Sequence, residues 1–265
     1  MARVIAVTNQ KGGVGKTTTC VNLAASLAAI KRRVLLVDMD PQGNATMGSG
    51  VEKNAVERSG YDLLTKRATA EQVIIAAGQS GFDIIPANGD LTAAEVELMN
   101  EIGREHRLRL ALAAARETYD YILIDCPPSL NLLTVNALSA ADTVMIPMQC
   151  EYYALEGLAA LMNTVEQIRE TVNPALEIEG LLRTMYDPRN SLTLDVSAQL
   201  SEYFGDKVYK AVIPRNVRLA EAPSYGLPAL VYDRASKGAI AYLALAGEMV
   251  RRHGALRQSA TPAAV

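Results

Sequence analysis

Short β-branched and aliphatic runs alternate with longer amphipathic stretches from one end of this chain to the other. The short runs predict strands over Val4–Thr8, Arg33–Asp38, Phe82–Pro86, Tyr121–Asp125, Thr143–Met148, Ile178–Thr184 and Val208–Val212. Helical recurrence of apolar positions predicts helices over Thr17–Ile30, Ala93–Glu117, Leu132–Ala140, Leu155–Val172, Leu192–Phe204 and Lys237–Arg252. The stretch from Ala93 is rich in Ala, Leu, Glu and Arg, all good helix formers. Strands separated by helices predict an α/β fold, a mostly parallel twisted sheet with helices on both faces. No internal repeat and no long Pro/Gly/Ser linker divides the chain, so one domain over 1–258 is expected. The small-residue segment 259–265 is expected to be a flexible tail.

Composition narrows the class. Of 265 residues 49% are apolar and 21% charged, which excludes disorder along most of the chain. A net charge of −3 argues against coating nucleic acid by bulk charge. The charge is uneven, however: residues 1–204 carry 17 basic and 25 acidic side chains, and residues 205–265 carry 9 and 4. Cys20, Cys126 and Cys150 are odd in number and lack C-x-x-C spacing, against a disulfide framework or a four-cysteine zinc site. Free thiols fit a reducing compartment, and a cytoplasmic location is expected. The apolar run after Arg3 is too short for a signal peptide, and no apolar stretch is long enough to span a membrane.

The strongest chemical signal is Gln10-Lys11-Gly12-Gly13-Val14-Gly15-Lys16-Thr17-Thr18, after a strand and opening a helix. Glycines let backbone N–H groups turn inward around phosphates, and the helix N-terminus adds positive potential. In such a loop Lys16 reaches the β and γ phosphates and the Thr17 hydroxyl ligates Mg²⁺. Two departures from the ordinary pattern stand out. Gln10 replaces the first glycine, and Lys11 adds a second cation, which suits neutralising phosphate charge during transfer.

The loop resembles the deviant Walker A box of the ParA/MinD ATPases, and the whole pattern from Val4 to about Arg252 resembles their chromosomal ParA (Soj) branch. That resemblance implies a P-loop fold, ATP and Mg²⁺ as ligands, slow ATP hydrolysis, and nucleotide contacts from Lys11 through Thr18. Several further motifs carry it. In Val37-Asp38-Met39-Asp40-Pro41-Gln42-Gly43-Asn44-Ala45-Thr46, the resemblance makes Asp40 the residue that activates or positions the attacking water, on switch I. Asp38 suits a helix N-cap or an Asx turn before Pro41. In Tyr121-Ile122-Leu123-Ile124-Asp125-Cys126-Pro127-Pro128-Ser129, Asp125 is the Walker B candidate, holding Mg²⁺ through water, and Pro127-Pro128 resembles switch II. The stretch Ile213–Ser224, opening Ile213-Pro214-Arg215-Asn216, resembles the segment along the adenine, with Pro214 and Asn216 against the base. Met185 is either a base contact or core packing. The stretch Met148–Gly157 also matches, with no role beyond starting a helix near a dimer face.

Relatives with other outputs are distinguished by what they need. The nitrogenase iron protein needs a cysteine between its switches, yet residues 21–125 hold none; metal-cluster carriers need C-x-x-C; the tyrosine kinases need a C-terminal tyrosine cluster, and no tyrosine follows Tyr242. MinD ends in a basic amphipathic membrane helix. Here Ala239–Val250 reads as a core helix, with Arg251-Arg252-His253 complementing its dipole. His106 and His253 read as solvated. With the first strand starting at residue 4, no operator-reading helix-turn-helix is expected ahead of it. The reading is therefore a chromosome or plasmid partitioning ATPase, with a MinD-like membrane-positioning ATPase as the alternative. As the resemblance implies, Lys11 and Gly12 sit at the seam of an ATP-bound homodimer without a stable membrane anchor. That dimer binds non-specific DNA through Arg189 and Arg218, with Lys207, Lys210 and Arg234 as weaker candidates, on the nucleoid. A ParB-type centromere-binding partner stimulates hydrolysis.

Overall fold

The computed structural model describes residues 1–259, with side chains through residue 255. Eight strands form one sheet: β1 (Arg3–Val7), β2 (Val34–Asp38), β3 (Ile75–Ala76), β4 (Asp83–Ile85), β5 (Tyr121–Asp125), β6 (Thr143–Gln149), β7 (Glu177–Tyr186) and β8 (Val208–Pro214). Their order is β3-β4-β2-β5-β1-β6-β7-β8, parallel except for the β3–β4 pair. The central strands are buried on both faces, which is why they read as continuous apolar runs. Val4 and Ala6 of β1 join one core layer and Ile5 and Val7 the other; Ile122 and Ile124 of β5 oppose Tyr121 and Leu123 in the same way. The helix α1 (Lys16–Ala29) and the Lys237–Ser259 helix pack on one face, where the Thr19 and Tyr242 hydroxyls bond at 3.1 Å. The Leu132–Ala140 and Ala154–Thr171 helices cover the other.

The chain leaves β1 toward β2 on one side and later passes to β6, β7 and β8 on the other. The sheet therefore has its switch point at the C-terminal end of β1, where open α/β sheets bind ligands. The phosphate loop starts there.

Three expectations need correction. The helix expected over Ala93–Glu117 is broken into Leu91–Glu97, Arg107–Ala111 and Ala115–Thr118, with short 3₁₀ turns between. Gly103 adopts a left-handed φ of 67°, and Asn136, from another helix, caps the restart: its Oδ1 accepts from Leu108 N while its Nδ2 donates to the Arg104 carbonyl. Tertiary capping overrides helix propensity there. Secondly, Arg251-Arg252-His253 does not end the last helix, which runs on to Ser259. Arg252 instead donates to the Asp206 and Val208 carbonyls and to Glu248. The remaining segment, 260–265, which held most of the expected tail, lies outside the described residues.

Thirdly, His253 is buried rather than solvated. Its Nε2 donates to Glu179 Oε1 at 2.8 Å and its Nδ1 lies 3.0 Å from the Tyr121 hydroxyl. Glu179 also accepts from Tyr209, Thr143 and Arg3, so one carboxylate ties β1, β6, β7 and β8 to the last helix. Burial alone would raise its pKa, but His253, Arg3 and Tyr209 outweigh burial and hold it down at about 2. A depressed carboxylate stabilises the fold above its unfolded pKa and loses that contribution as pH falls toward its folded one. Relative to Glu179→Gln, wild type should gain about 3 kcal/mol above pH 4.5, fading to nothing near pH 2. Urea unfolding of both proteins across that range checks it; a constant gap would contradict the linkage.

Candidate functional site

Gly15 caps α1 in the left-handed region, φ 88°, so the backbone turns from the loop directly into the helix. Lys16, the first helical residue, is buried, and its Nζ donates to the Lys11 carbonyl at 3.3 Å. Burial draws its pKa down, partly offset by Asp125. Asn9 staples the loop to β6: its Nδ2 donates to the Pro147 carbonyl at 2.8 Å and its Oδ1 accepts from Lys11 N at 3.0 Å. Val14 is buried, and its carbonyl accepts from Thr184 Oγ1. Gly12 and Gly13 leave open space around themselves.

Asp38 and Asp125 end adjacent parallel strands as register partners. Both are fully buried, and burial raises both carboxyls; the Asp38 charge raises Asp125 further, and the Asp40 charge adds to the rise at Asp38. Asp38 is well satisfied, accepting from Thr46 N and Oγ1 and from Asp40 N. Asp125 is not. Cys20 Sγ donates to its Oδ1 at 3.4 Å, while its buried Oδ2 has no hydrogen-bond partner. Two buried carboxylates with an open oxygen, beside the Thr17 hydroxyl at the start of α1, fit a hydrated divalent cation. Asp40 is half-exposed at the mouth, its Oδ1 accepting only from Gln42 N. Gly43 follows at φ 63°, where a Cβ would strike the Ala87 carbonyl at 2.7 Å, so this switch segment is held close to the β4 exit.

Beyond the loop, Gly15, Thr18, Thr184, Met185, Ile213, Pro214 and Asn216 line a largely apolar cavity of about 220 Å³. All three residues expected at the base are thus brought together beside the phosphate loop. Met185 takes a left-handed φ of 49°, with Gln149 Nε2 2.7 Å from its sulfur, so it faces the cavity rather than the core. Asn216, which lines this cavity, caps the Val217–Glu221 helix with its Oδ1, accepting from Arg218 N.

The basic candidates are only partly assembled. Arg189 is 88% exposed and forks onto Asp187 at 2.9 and 2.8 Å. Arg218 pairs with Glu221 at 2.8 Å and Asp233 at 3.2 Å. Lys210 and Arg234 are exposed, with no ion pair among the described residues. Lys207 is exposed too; it precedes β8, three residues before Lys210, and donates to the Ile178 carbonyl. Four contributors lay outside the sequence expectation: Asn9, Gln149, Glu151 and Thr46. Of these, only Asn9 fell outside a noticed motif.

A family model described as an AAA domain matches residues 2–178. The chain is 57% identical over 249 residues to the sporulation initiation inhibitor protein Soj of Bacillus subtilis, covering 94% of this chain and 98% of that protein. It is 53% identical over 252 residues to the chromosome partitioning protein ParA of Caulobacter vibrioides, covering 94% of each.

The chain belongs to the ParA/MinD family.

Its affinity within the family is with the ParA/Soj proteins. Among solved structures, the cobyrinic acid a,c-diamide synthase of Mycobacterium smegmatis, with ATP analogue and magnesium bound, superposes with TM-score 0.84 at 37% identity over 96% of each chain. The cell division ATPase MinD of Pyrococcus furiosus superposes with TM-score 0.79 at 26% identity, over 95% of this chain and 99% of that one. The fold is that of P-loop ATPases of this type. No helix among the described residues is long and apolar enough to cross a membrane.

Proposed function

We propose that this chain is a chromosome-partitioning ATPase of the ParA type, built as one ATPase domain. The observation that carries the reading is the two-lysine phosphate loop placed beside the paired Asp38 and Asp125 carboxylates at the sheet's switch point. ATP lies with its base against Met185, Pro214 and Asn216 and its phosphates in the loop, where Lys16 supplies the fixed cation. Thr17, and Asp125 through water, hold Mg²⁺, which supplies positive charge to the phosphate oxygens. Asp40 positions the water that attacks the γ-phosphate. Hydrolysis leaves ADP and phosphate.

In this reading ATP joins two subunits face to face, with Lys11 reaching across the seam. The dimer binds DNA without sequence preference on the nucleoid, and a ParB-type partner stimulates hydrolysis to release it. A MinD-like membrane role is not favoured. Identity to the MinD structure is 26%, and the last helix buries Tyr242, Leu245 and Met249 against α1 and β8 instead of offering them to a bilayer.

Assembly has a clean test. A Cβ at Gly12 meets nothing within 4 Å in the isolated subunit, so Gly12→Val should fold, and it is expected still to bind ATP. In a closely apposed dimer the same branches occupy the seam. Light scattering with a non-hydrolysable ATP analogue should show wild type doubling in mass and Gly12→Val remaining monomeric. An unchanged dimer in the variant would remove Gly12 from the interface.

A further inference from the structure

We propose that the cleft between Lys66 and the Ile102–Leu110 segment docks an acidic polypeptide segment of a partner, its apolar side chains in the cleft and its carboxylates on the cationic rim. The cleft, about 440 Å³, is lined by Lys66, Ile102, His106, Arg107, Arg109 and Leu110. It shares no residue with the nucleotide site or with the candidate DNA contacts. Ile102 is 99% exposed and Leu110 66%. The Arg107–Ala111 helix already gives Leu108 to the core, and Leu112 is buried just beyond it, so packing supplies no reason for a third leucine at 110. Two large apolar side chains exposed on one cleft mark a contact surface.

Charge decides what fits there. Three carboxylates stand on or beside the segment, and each is already engaged. Glu97 pairs with Arg67 at 3.2 Å, Glu101 with Arg107 at 2.6 Å, and Glu105 lies 3.7 Å from His106 Nε2. Lys66 and Arg109, by contrast, are exposed and make no side-chain hydrogen bond or ion pair among the described residues. Arg104 meets only the Met99 carbonyl. Arg107 is more than nine-tenths buried in the cleft wall, and its Nε has no hydrogen-bond partner among the described residues. Lys66 keeps a left-handed φ of 61°, which glycine or asparagine would take more readily, so a cation stands there at a backbone cost. Free positive charge around exposed apolar side chains complements an amphipathic segment of opposite charge. A bilayer fits less well, because a flat headgroup layer cannot fill a cleft.

The probe is a fluorescein-labelled synthetic helix with leucines at i, i+3, i+4 and i+7 and glutamates elsewhere. Fluorescence anisotropy with the full chain should show saturable binding that weakens with salt, and no binding of the same helix carrying lysine for every glutamate. Leu110→Ser should bind about five- to tenfold more weakly, the effect of losing one apolar anchor. Arg109→Glu should weaken binding by about tenfold at low salt and by less at high salt. Neither side chain lines the nucleotide site, so unchanged ATP turnover reports that both variants are folded. No saturable binding, equal binding of the lysine helix, or wild-type affinity in both variants overturns the proposal. Binding to phosphatidylglycerol vesicles that both variants lose, without peptide binding, overturns it in favour of a membrane surface. Self-association that Leu110→Ser relieves, without peptide binding, overturns it in favour of a second copy of the chain.

Discussion

Asp40→Ala is expected to bind ATP with wild-type affinity and to hydrolyse it roughly 10² to 10⁴ times more slowly, the range for losing a group that positions or deprotonates a reacting water. Binding survives because the carboxyl makes no hydrogen bond to the phosphate loop among the described residues and its charge is a minor influence on Lys16; its one hydrogen bond is the turn contact from Gln42 N. Folding survives for the same reason, and because the side chain stands half-exposed at the mouth. Asp38 cannot take over the role: it is fully buried, and Thr46 and Asp40 N already occupy its oxygens. Lys16→Ala is the complementary case. That lysine is buried against the loop and is its fixed cation, so its loss should abolish nucleotide binding rather than turnover alone. A fluorescent ATP analogue reports binding and phosphate release reports turnover. Normal turnover by Asp40→Ala would remove the residue from the mechanism.

The two halves of this site were not equally visible in the sequence. The phosphate loop could be read because nine consecutive residues carry it, and the central strands because burial on both faces makes them unbroken apolar runs. Asp125 could be read because its strand leads straight into it. Asp38 was seen only as a turn residue; its pairing with Asp125 depends on β2 lying beside β5, a register no local pattern records. The same limit hid the Lys11–Glu151 pair, 140 positions apart, and the Glu179–His253 pair, 74 apart. His253 reads as solvated because it stands alone without ligand spacing, yet the helix continues past it and buries it. The Ala93–Glu117 stretch misled for the opposite reason. Its local propensity is strong, but the caps that interrupt it come from Asn136 on a neighbouring helix.

The ATP-held dimer should bind DNA of any sequence, and its affinity should fall steeply with salt. Each subunit offers Arg189, Arg218, Lys210 and Arg234 on exposed positions, while Lys207, also exposed, already gives its ammonium to the Ile178 carbonyl and should contribute less. Two aligned subunits double those contacts, and a protein neutralising about six to ten phosphates loses roughly 10³- to 10⁵-fold in affinity between 50 and 200 mM salt. A monomer with half the contacts has a slope about half as steep, so nucleotide state and salt act on the same term. Arg189→Ala should weaken all sequences alike and flatten the salt slope by about one per contact, two per dimer. The intramolecular pairs sharpen this. Arg189 is held by Asp187 and Arg218 by Glu221 and Asp233, so part of the phosphate attraction goes into breaking those contacts. Asp187→Asn should therefore tighten DNA binding, the opposite of the Arg189 variant, without touching ATP turnover. The deciding measurement uses Asp40→Ala, which holds the ATP state, with ATP and with ADP at two salt concentrations. A large gap between nucleotides at low salt that narrows at high salt is the expected result. Equal affinity in both states would leave the basic side chains as ordinary solvated surface and detach ATP from DNA.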